Sequence, residues 1–177
     1  MVGPERLSAL RACDASDDPF LYDVFCTTWE SEVAALPNQN LARHVLRIQH
    51  TAQERRFRVR YPGHQRFVVT HDGEPAGRLY LFVDGTTMQV VDLTLMPRFR
   101  SQGIGTRLLR ELMAKASRDD RSVTARVGRS NSRAADLCAS LGFDLVAVDD
   151  LDNFFRWRPL PAAVPDLPSR SAQAECR

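Results

Sequence analysis

The part of the sequence best suited to hold a ligand is Arg100-Ser101-Gln102-Gly103-Ile104-Gly105-Thr106, which follows the apolar run 91–96. From Ile104 onward, apolar residues recur with the period of a helix. The first amides of a helix have no partner within it, and the helix dipole is positive there. Glycines at 103 and 105 would let an anion approach the main chain closely. This combination predicts a phosphate-binding site.

Two common phosphate-binding patterns are absent from the sequence. There is no Gly-x-x-x-x-Gly-Lys-Ser/Thr, and no third glycine follows at the spacing of dinucleotide-binding folds. The pattern is Arg-x-x-Gly-x-Gly, and a second motif, Asn-x-x-Ala-x-x-Leu-Cys-x-x-x-Gly-Phe, covers residues 131–143. Together these motifs resemble those of the GNAT superfamily of acetyl-CoA-dependent N-acetyltransferases. The segment 53–62, followed by Gly77-Arg78-Leu79-Tyr80, is similar to a group of small bacterial GNAT proteins of largely undefined substrate.

The resemblance implies both a fold and an activity. The fold would be α/β (α+β), with a mixed, mostly antiparallel central sheet that splays between strands 4 and 5 and is flanked by four helices. The activity would be transfer of acetyl from acetyl-CoA to a primary amine of a small molecule or peptide, by direct attack in a ternary complex. The alternative is a CoA-binding regulatory or interaction module with little or no turnover.

The resemblance also implies which residues bind the cofactor. Main-chain groups of Leu93, Thr94 and Leu95 would pair with pantetheine and the acetyl carbonyl. The amides that would hold the pyrophosphate belong to Arg100, Ser101, Gln102, Gly103, Ile104, Gly105 and Thr106. Asn131 would contact the cofactor or serve only as a helix N-cap, and Arg133 would reach the phosphates or remain exposed to solvent.

Two residues are candidates for proton transfer. Asp92 lies inside an apolar strand, where its carboxylate needs either an open cleft, in which it could accept a proton from the attacking ammonium, or an arginine partner. Cys138 stands where the family usually has a tyrosine that protonates the departing thiolate. Cys138 would take over that role or only pack in the core, in which case water or another residue such as Tyr80 would act.

Composition excludes several other classes of protein. The chain has 177 residues, 44% of them hydrophobic, which suits one domain over residues 1–158; the proline-rich segment 159–177 is expected to be a flexible tail. We expect a cytoplasmic protein without membrane contact, since no signal core or stretch of about twenty apolar residues occurs. A net charge of +2 argues against nucleic acid, and the cysteine and histidine spacing against a metal. Homodimerisation is possible.

Periodicity and turn residues also predict the order of helices and strands. The second helix is expected to bury Leu41, Val45, Ile48, Ala52 and Phe57. The predicted elements are a strand at 7–12, helices at 17–36 and 41–58, strands at 66–71, 76–83 and 88–95, a helix ending near 118, a strand at 122–127, a helix after Asn131, and strands at 145–148 and 154–157.

Overall fold

The computed structural model describes residues 9–34 and 38–159. These residues form seven strands, four helices of nine residues or more, and one helix of five residues. The elements are β1 (Leu10–Ala12), α1 (Asp18–Cys26), α2 (Glu30–Ala34), α3 (Gln39–Arg60), β2 (Gln65–His71), β3 (Glu74–Asp84), β4 (Thr87–Leu95), α4 (Ile104–Arg118), β5 (Ser122–Gly128), α5 (Ser132–Ser140), β6 (Asp144–Val148) and β7 (Asp152–Trp157).

The strands form one sheet in the order β1-β2-β3-β4-β5-β7-β6. Every neighbouring pair is antiparallel except β4 and β5, which are parallel and joined through α4. This is the mixed, mostly antiparallel sheet that the sequence predicts, and the predicted strands differ from the observed ones by at most a few residues. The fold prediction is therefore confirmed.

One face of the sheet is apolar and packs against α4. Leu108 and Leu112 of α4 are fully buried against Leu79, Met88 and neighbouring strand residues. They belong to the stripe of apolar positions whose helical period predicted α4. Removing such side chains from water is the main source of stability for this half of the molecule.

The other face of the sheet is partly polar, which overturns one prediction. Helix α3 buries Ala42, Leu46 and Phe57. The remaining residues expected on its buried side are exposed: Leu41, Val45, Ile48 and Ala52. Of the predicted set, only Phe57 is correct.

The strand residues beneath α3 explain this error. Arg78 and Tyr80 of β3 are buried, and both bond to side chains from the inner face of α3. Arg78 donates to Gln53, and the Tyr80 hydroxyl donates to Glu54 at 3.0 Å each. The helix must therefore turn polar residues inward, because buried polar groups need hydrogen-bond partners. A prediction that places only apolar residues on the buried side of α3 therefore chooses the wrong side of the helix.

The first predicted helix, 17–36, is also corrected. The structure divides it into α1 and α2, separated by the turn 27–29. The hydroxyls of Thr27 and Thr28 donate to the carbonyls of Val24 and Phe25, and such side-chain bonds compete with continued helix.

Some predictions fall outside the described residues. These are the start of the first strand at 7–8, the helix end at Pro37 and all but the first residue of the predicted tail. Of the described helices, none combines the length and the apolar run that crossing a membrane requires.

A substitution at Gly77 tests how closely β3 approaches β4. A Cβ at this position would lie 2.3 Å from the carbonyl oxygen of Thr94 and 2.9 Å from the Cα of Leu95, so Gly77→Ala must displace the end of β4. We expect the free energy of unfolding to fall by about 1–3 kcal/mol in denaturant titrations. Gly85→Ala is the control, because a Cβ there meets nothing within 4 Å. Equal stability of the two variants would contradict the prediction.

Candidate functional site

Strands β4 and β5 lie side by side for only part of their length. Their pairing runs from Thr87 opposite Ser122 to Val90 opposite Ala125. Beyond this point β5 stays paired with β7, and β4 stays paired with β3. Residues 91–95 of β4 therefore border a gap in the sheet, which is the predicted splay between strands 4 and 5.

A β-bulge marks the point where the two strands separate. Leu81 of β3 lies opposite Val90 and Tyr80 lies opposite Asp92, so Val91 is an extra residue in β4. The bulge changes the face to which the following side chains point. Val90 joins the apolar core beneath α4, whereas Asp92 shares the face of Tyr80.

The register shows which main-chain groups face the gap. The Met96 amide donates to the Ala76 carbonyl at 2.9 Å, so Leu93 and Leu95 occupy non-hydrogen-bonded positions opposite β3. Their amides and carbonyls point away from β3, toward the gap. Within the described residues, the amides of both and the Leu93 carbonyl have no protein partner. The main chain of Thr94 faces β3 instead.

The loop before α4 presents a row of unpaired amides. Gly103, the N-cap of α4, has φ +75°, a left-handed conformation that side chains with a Cβ rarely adopt. Ser101 also has positive φ. No side chain caps this helix end, and the amides of residues 101–106 donate to no acceptor in the described parts of the chain. Together with the dipole of a fifteen-residue helix, they form an anion-binding surface.

The side chains of Arg100 and Gln102 hold this loop in place. Arg100 Nε donates to the Leu95 carbonyl at 2.9 Å, and its Nη2 donates to the Thr27 hydroxyl at 3.0 Å. Gln102 Nε2 donates to the Arg98 carbonyl at 2.7 Å. Arg100 thus connects the end of β4, the loop and the end of α1. Its amide, which the sequence analysis assigned to the pyrophosphate, donates instead to the Pro97 carbonyl at 3.2 Å, so the row of unpaired amides begins at Ser101.

Helix α5 brings two further predicted residues to the loop. Asn131 caps α5, its side-chain oxygen accepting from the Ala134 amide at 3.1 Å. Arg133 donates to the hydroxyl of Ser101. The guanidinium therefore lies beside the row of amides, where it adds positive charge to the anion-binding surface.

Asp92 is held by a buried arginine. Its carboxylate lies 2.5 Å from Arg78 Nη2 and accepts from the Thr94 hydroxyl at 2.8 Å. Arg78 is only 1% exposed. Burial alone would lower the pKa of Arg78, but the negative charges around it, chiefly that of Asp92, raise it. Of the two predicted environments of Asp92, an open cleft or an arginine partner, the structure contains the arginine partner.

Cys138 and Tyr80 are both buried. Cys138 belongs to the apolar core between α5 and the sheet, and burial raises the pKa of its thiol to about 11. Tyr80 is fully buried, burial raises its pKa, and its hydroxyl donates to Glu54. Tyr80 faces α1 and α3, away from the α4 side where Cys138 packs.

Sequence analysis missed the partners of Asp92. Arg78, Gln53 and Glu54 form the polar cluster around its carboxylate, yet each was assigned no role. A signal was present, since Arg78 and Asp92 are single charges within two neighbouring apolar strands. Two such charges in adjacent strands predict a buried pair, because neither is stable alone.

Comparison with known proteins gives the same fold. The PaiA N-acetyltransferase of Thermoplasma acidophilum, in complex with coenzyme A, superposes on this chain with a TM-score of 0.64 at 17% sequence identity. The match covers 84% of this chain and 97% of that one. The ribosomal-protein-S18-alanine N-acetyltransferase of Escherichia coli gives 0.57 at 18% identity, covering 89% and 97%. An Elizabethkingia anophelis GNAT acetyltransferase with acetyl-CoA bound gives 0.53 at 16%, covering 84% and 96%.

No curated protein sequence matches the chain significantly. The family model "Acetyltransferase (GNAT) family" matches residues 21–143, from α1 to the end of the second motif. This match includes the sheet gap, the amide loop and α5. The chain therefore belongs to the GNAT acetyltransferase family, an enzyme family that uses acetyl-CoA as its acyl donor.

Proposed function

We propose that this acetyltransferase moves acetyl from acetyl-CoA to a primary amine of a small molecule or peptide, by direct attack in a ternary complex. The observation that carries the proposal is the continuity of two sets of unpaired main-chain groups. Leu93 and Leu95 border the sheet gap, and the amides of 101–106 begin one short turn further along the chain. A donor with a diphosphate at one end and an amide-containing arm fits that sequence of groups.

The diphosphate would lie on the amides of the loop. Gly103 supplies the turn, Arg133 supplies a cation beside Ser101, and Asn131 keeps a side-chain NH₂ group free to donate, because only its oxygen is used by the helix cap. Bound acetyl-CoA supplies an activated acyl group. The pantetheine arm would add to β4 as a strand does, through the amides and carbonyl of Leu93 and Leu95.

The same main-chain groups can assist the reaction. An amide of β4 directed into the gap stabilises negative charge on the acetyl oxygen as the amine attacks, which is the electrostatic principle of an oxyanion hole. Since the group is part of a sheet, it is fixed in place before the substrate binds. In the register of β3 and β4, the amides of Leu93 and Leu95 meet this requirement, whereas that of Thr94 is used by β3.

For Asp92 we propose a positioning role. Its contacts with Arg78 and the Thr94 hydroxyl hold β4 just after the bulge. Accepting a proton would weaken its pairing with Arg78, an ion that is almost wholly buried. Water is therefore the better acceptor for the proton of the attacking ammonium.

For Cys138 we propose packing rather than proton donation. The thiol is buried in the apolar core, and this burial, which raises its pKa to about 11, disfavours its ionisation. Water in the gap would protonate the departing thiolate.

The proposed activity predicts release of CoA that depends on an amine. Free thiol is measured with acetyl-CoA and a panel of polyamines, aminoglycosides, amino acids and peptide N-termini, and the product is identified by mass spectrometry. At least one primary amine should raise thiol release above the rate without amine and should gain an acetyl group. If acetyl-CoA binds and no amine in a broad panel is acetylated, a CoA-binding module is favoured instead.

Gly105 provides a test of the diphosphate site that separates binding from folding. A Cβ at Gly105 meets only the Leu137 side chain, at an ordinary distance of 3.7 Å, so the protein itself tolerates a side chain there. Gly105→Asp should not reduce stability, since a carboxylate in the first turn of a helix is favourable by about 0.3–1 kcal/mol. It should weaken CoA binding about 100-fold by charge repulsion.

Gly105→Asn is the matched control, because it has the same size without the charge. Isothermal titration calorimetry compares CoA affinity, and thermal unfolding compares stability. Equal CoA affinity of the two variants would place the diphosphate elsewhere.

The two interpretations of Cys138 predict different rates for Cys138→Ala. If the thiol only packs, kcat should stay within about twofold, while the melting temperature falls because a buried side chain is truncated. If the thiol donates a proton, kcat should fall by roughly 100-fold or more. Steady-state kinetics with the best amine of the panel decides between them, and Cys26→Ala, on α1, serves as the control.

A further inference from the structure

The outer face of α3 carries an apolar stripe that the core does not use. Its members follow one another at intervals of four, three, four and seven residues: Leu41, Val45, Ile48, Ala52 and Val59. Residues at these intervals lie along one side of the helix and form a continuous apolar face. Ile48 is 55% and Val59 is 77% exposed, whereas the side of α3 that meets the sheet carries Leu46 and Phe57.

Positive charge surrounds this stripe. Helix α3 contains six arginines and a single acidic residue, Glu54. Glu54 accepts a hydrogen bond from the Tyr80 hydroxyl on the side of α3 that faces the sheet. A groove of about 650 Å³ follows the stripe, and Arg55 and Arg56 line it together with Ile48. Neither arginine forms an ion pair or hydrogen bond with any described residue. The surface is therefore suited to an apolar partner with acidic groups.

The same chain carries such a surface at the far edge of its sheet. All five residues of β6 are exposed, including Leu145, Val146 and Val148, and Leu151 in the following turn is 76% exposed. Residues 141–155 contain four aspartates and no lysine or arginine, and the arginines nearest to them, Arg126, Arg129 and Arg156, lie on or beside β5 and β7.

Two of these aspartates are free to meet a partner. The other two are already paired: the Asp149 carboxylate accepts hydrogen bonds from the amides of Leu151 and Asp152, and the Asp152 carboxylate lies 3.4 Å from Arg126 Nε. The side chains of Asp144 and Asp150 form no ion pair or hydrogen bond within residues 9–34 and 38–159, although Arg156 lies opposite Asp144 on β7. We call the exposed apolar residues of 145–151 and these two aspartates the β6 surface.

We propose that two copies of this chain form a twofold dimer in which α3 of each copy packs on the β6 surface of the other. Contact between two α3 stripes would bring arginines against arginines, whereas contact between α3 and β6 pairs opposite charges. Within one copy, α3 covers the face of β3, while β6 is the outermost strand beyond β5 and β7. Reciprocal contact closes the assembly at two copies.

Charge reversal tests this arrangement. One variant carries Arg55→Glu with Arg56→Glu, and the other carries Asp144→Lys with Asp150→Lys. The unaltered protein should be a dimer in sedimentation equilibrium, and each variant alone should have a dimer Kd raised about 100-fold. An equimolar mixture of the two variants should recover the dimer, because both reciprocal contacts then again join opposite charges.

Arg43→Glu with Arg58→Glu is the matched control, since it changes the same charge on α3 away from the stripe and should leave the dimer Kd unchanged. A monomer at all concentrations would overturn the proposal. A dimer that survives either reversal, or that the mixture fails to restore, would also overturn it, because the interface then lies elsewhere. Binding of the monomer to phosphatidylserine vesicles would assign the α3 stripe to a lipid surface instead.

Discussion

The ion pair between Arg78 and Asp92 is the constraint on which the rest of the structure depends. The two charges meet at 2.5 Å in neighbouring strands, and Arg78 is almost entirely removed from water. Removing either partner would leave an uncompensated buried charge, which is far more costly than replacing both. The pair therefore fixes the register of β3 and β4 at the bulge, and with it the place where β4 leaves β5.

The polar cluster also determines how α3 is oriented. Arg78 requires further acceptors, which Gln53 and the Leu21 carbonyl provide, and Tyr80 requires Glu54. Only the inner face of α3 can deliver the two side chains. The more apolar stripe of the same helix is consequently left outside, where it is exposed within the part of the chain that the structure describes.

The elements that sequence analysis predicted correctly are those with a strong local cause. The turns that join β2, β3 and β4, the period of α4 and the glycines of the loop are all local features. The bulge at Val91 and the inward face of α3 could not be predicted from such local features, because both involve contacts between different elements. Arg78 meets Asp92 of the neighbouring strand, and Arg78 and Tyr80 bond to Gln53 and Glu54 of α3. The break after Cys26 was also missed; the hydroxyls of Thr27 and Thr28 donate there to carbonyls of the preceding turn, and the Thr27 hydroxyl also accepts from distant Arg100.

The side chain of Arg100 has a structural role, although its place in the phosphate-binding motif suggests a ligand contact. The first residue of Arg-x-x-Gly-x-Gly suggests a cation for phosphate, yet its guanidinium is bonded to the carbonyl of Leu95 and the hydroxyl of Thr27. Satisfying the Leu95 carbonyl leaves the Leu95 amide and both groups of Leu93 as the unpaired main chain in the gap. By occupying the Leu95 carbonyl, Arg100 determines which main-chain groups of β4 remain available to an acyl donor. Its second bond, to Thr27, connects this part of β4 to the end of α1.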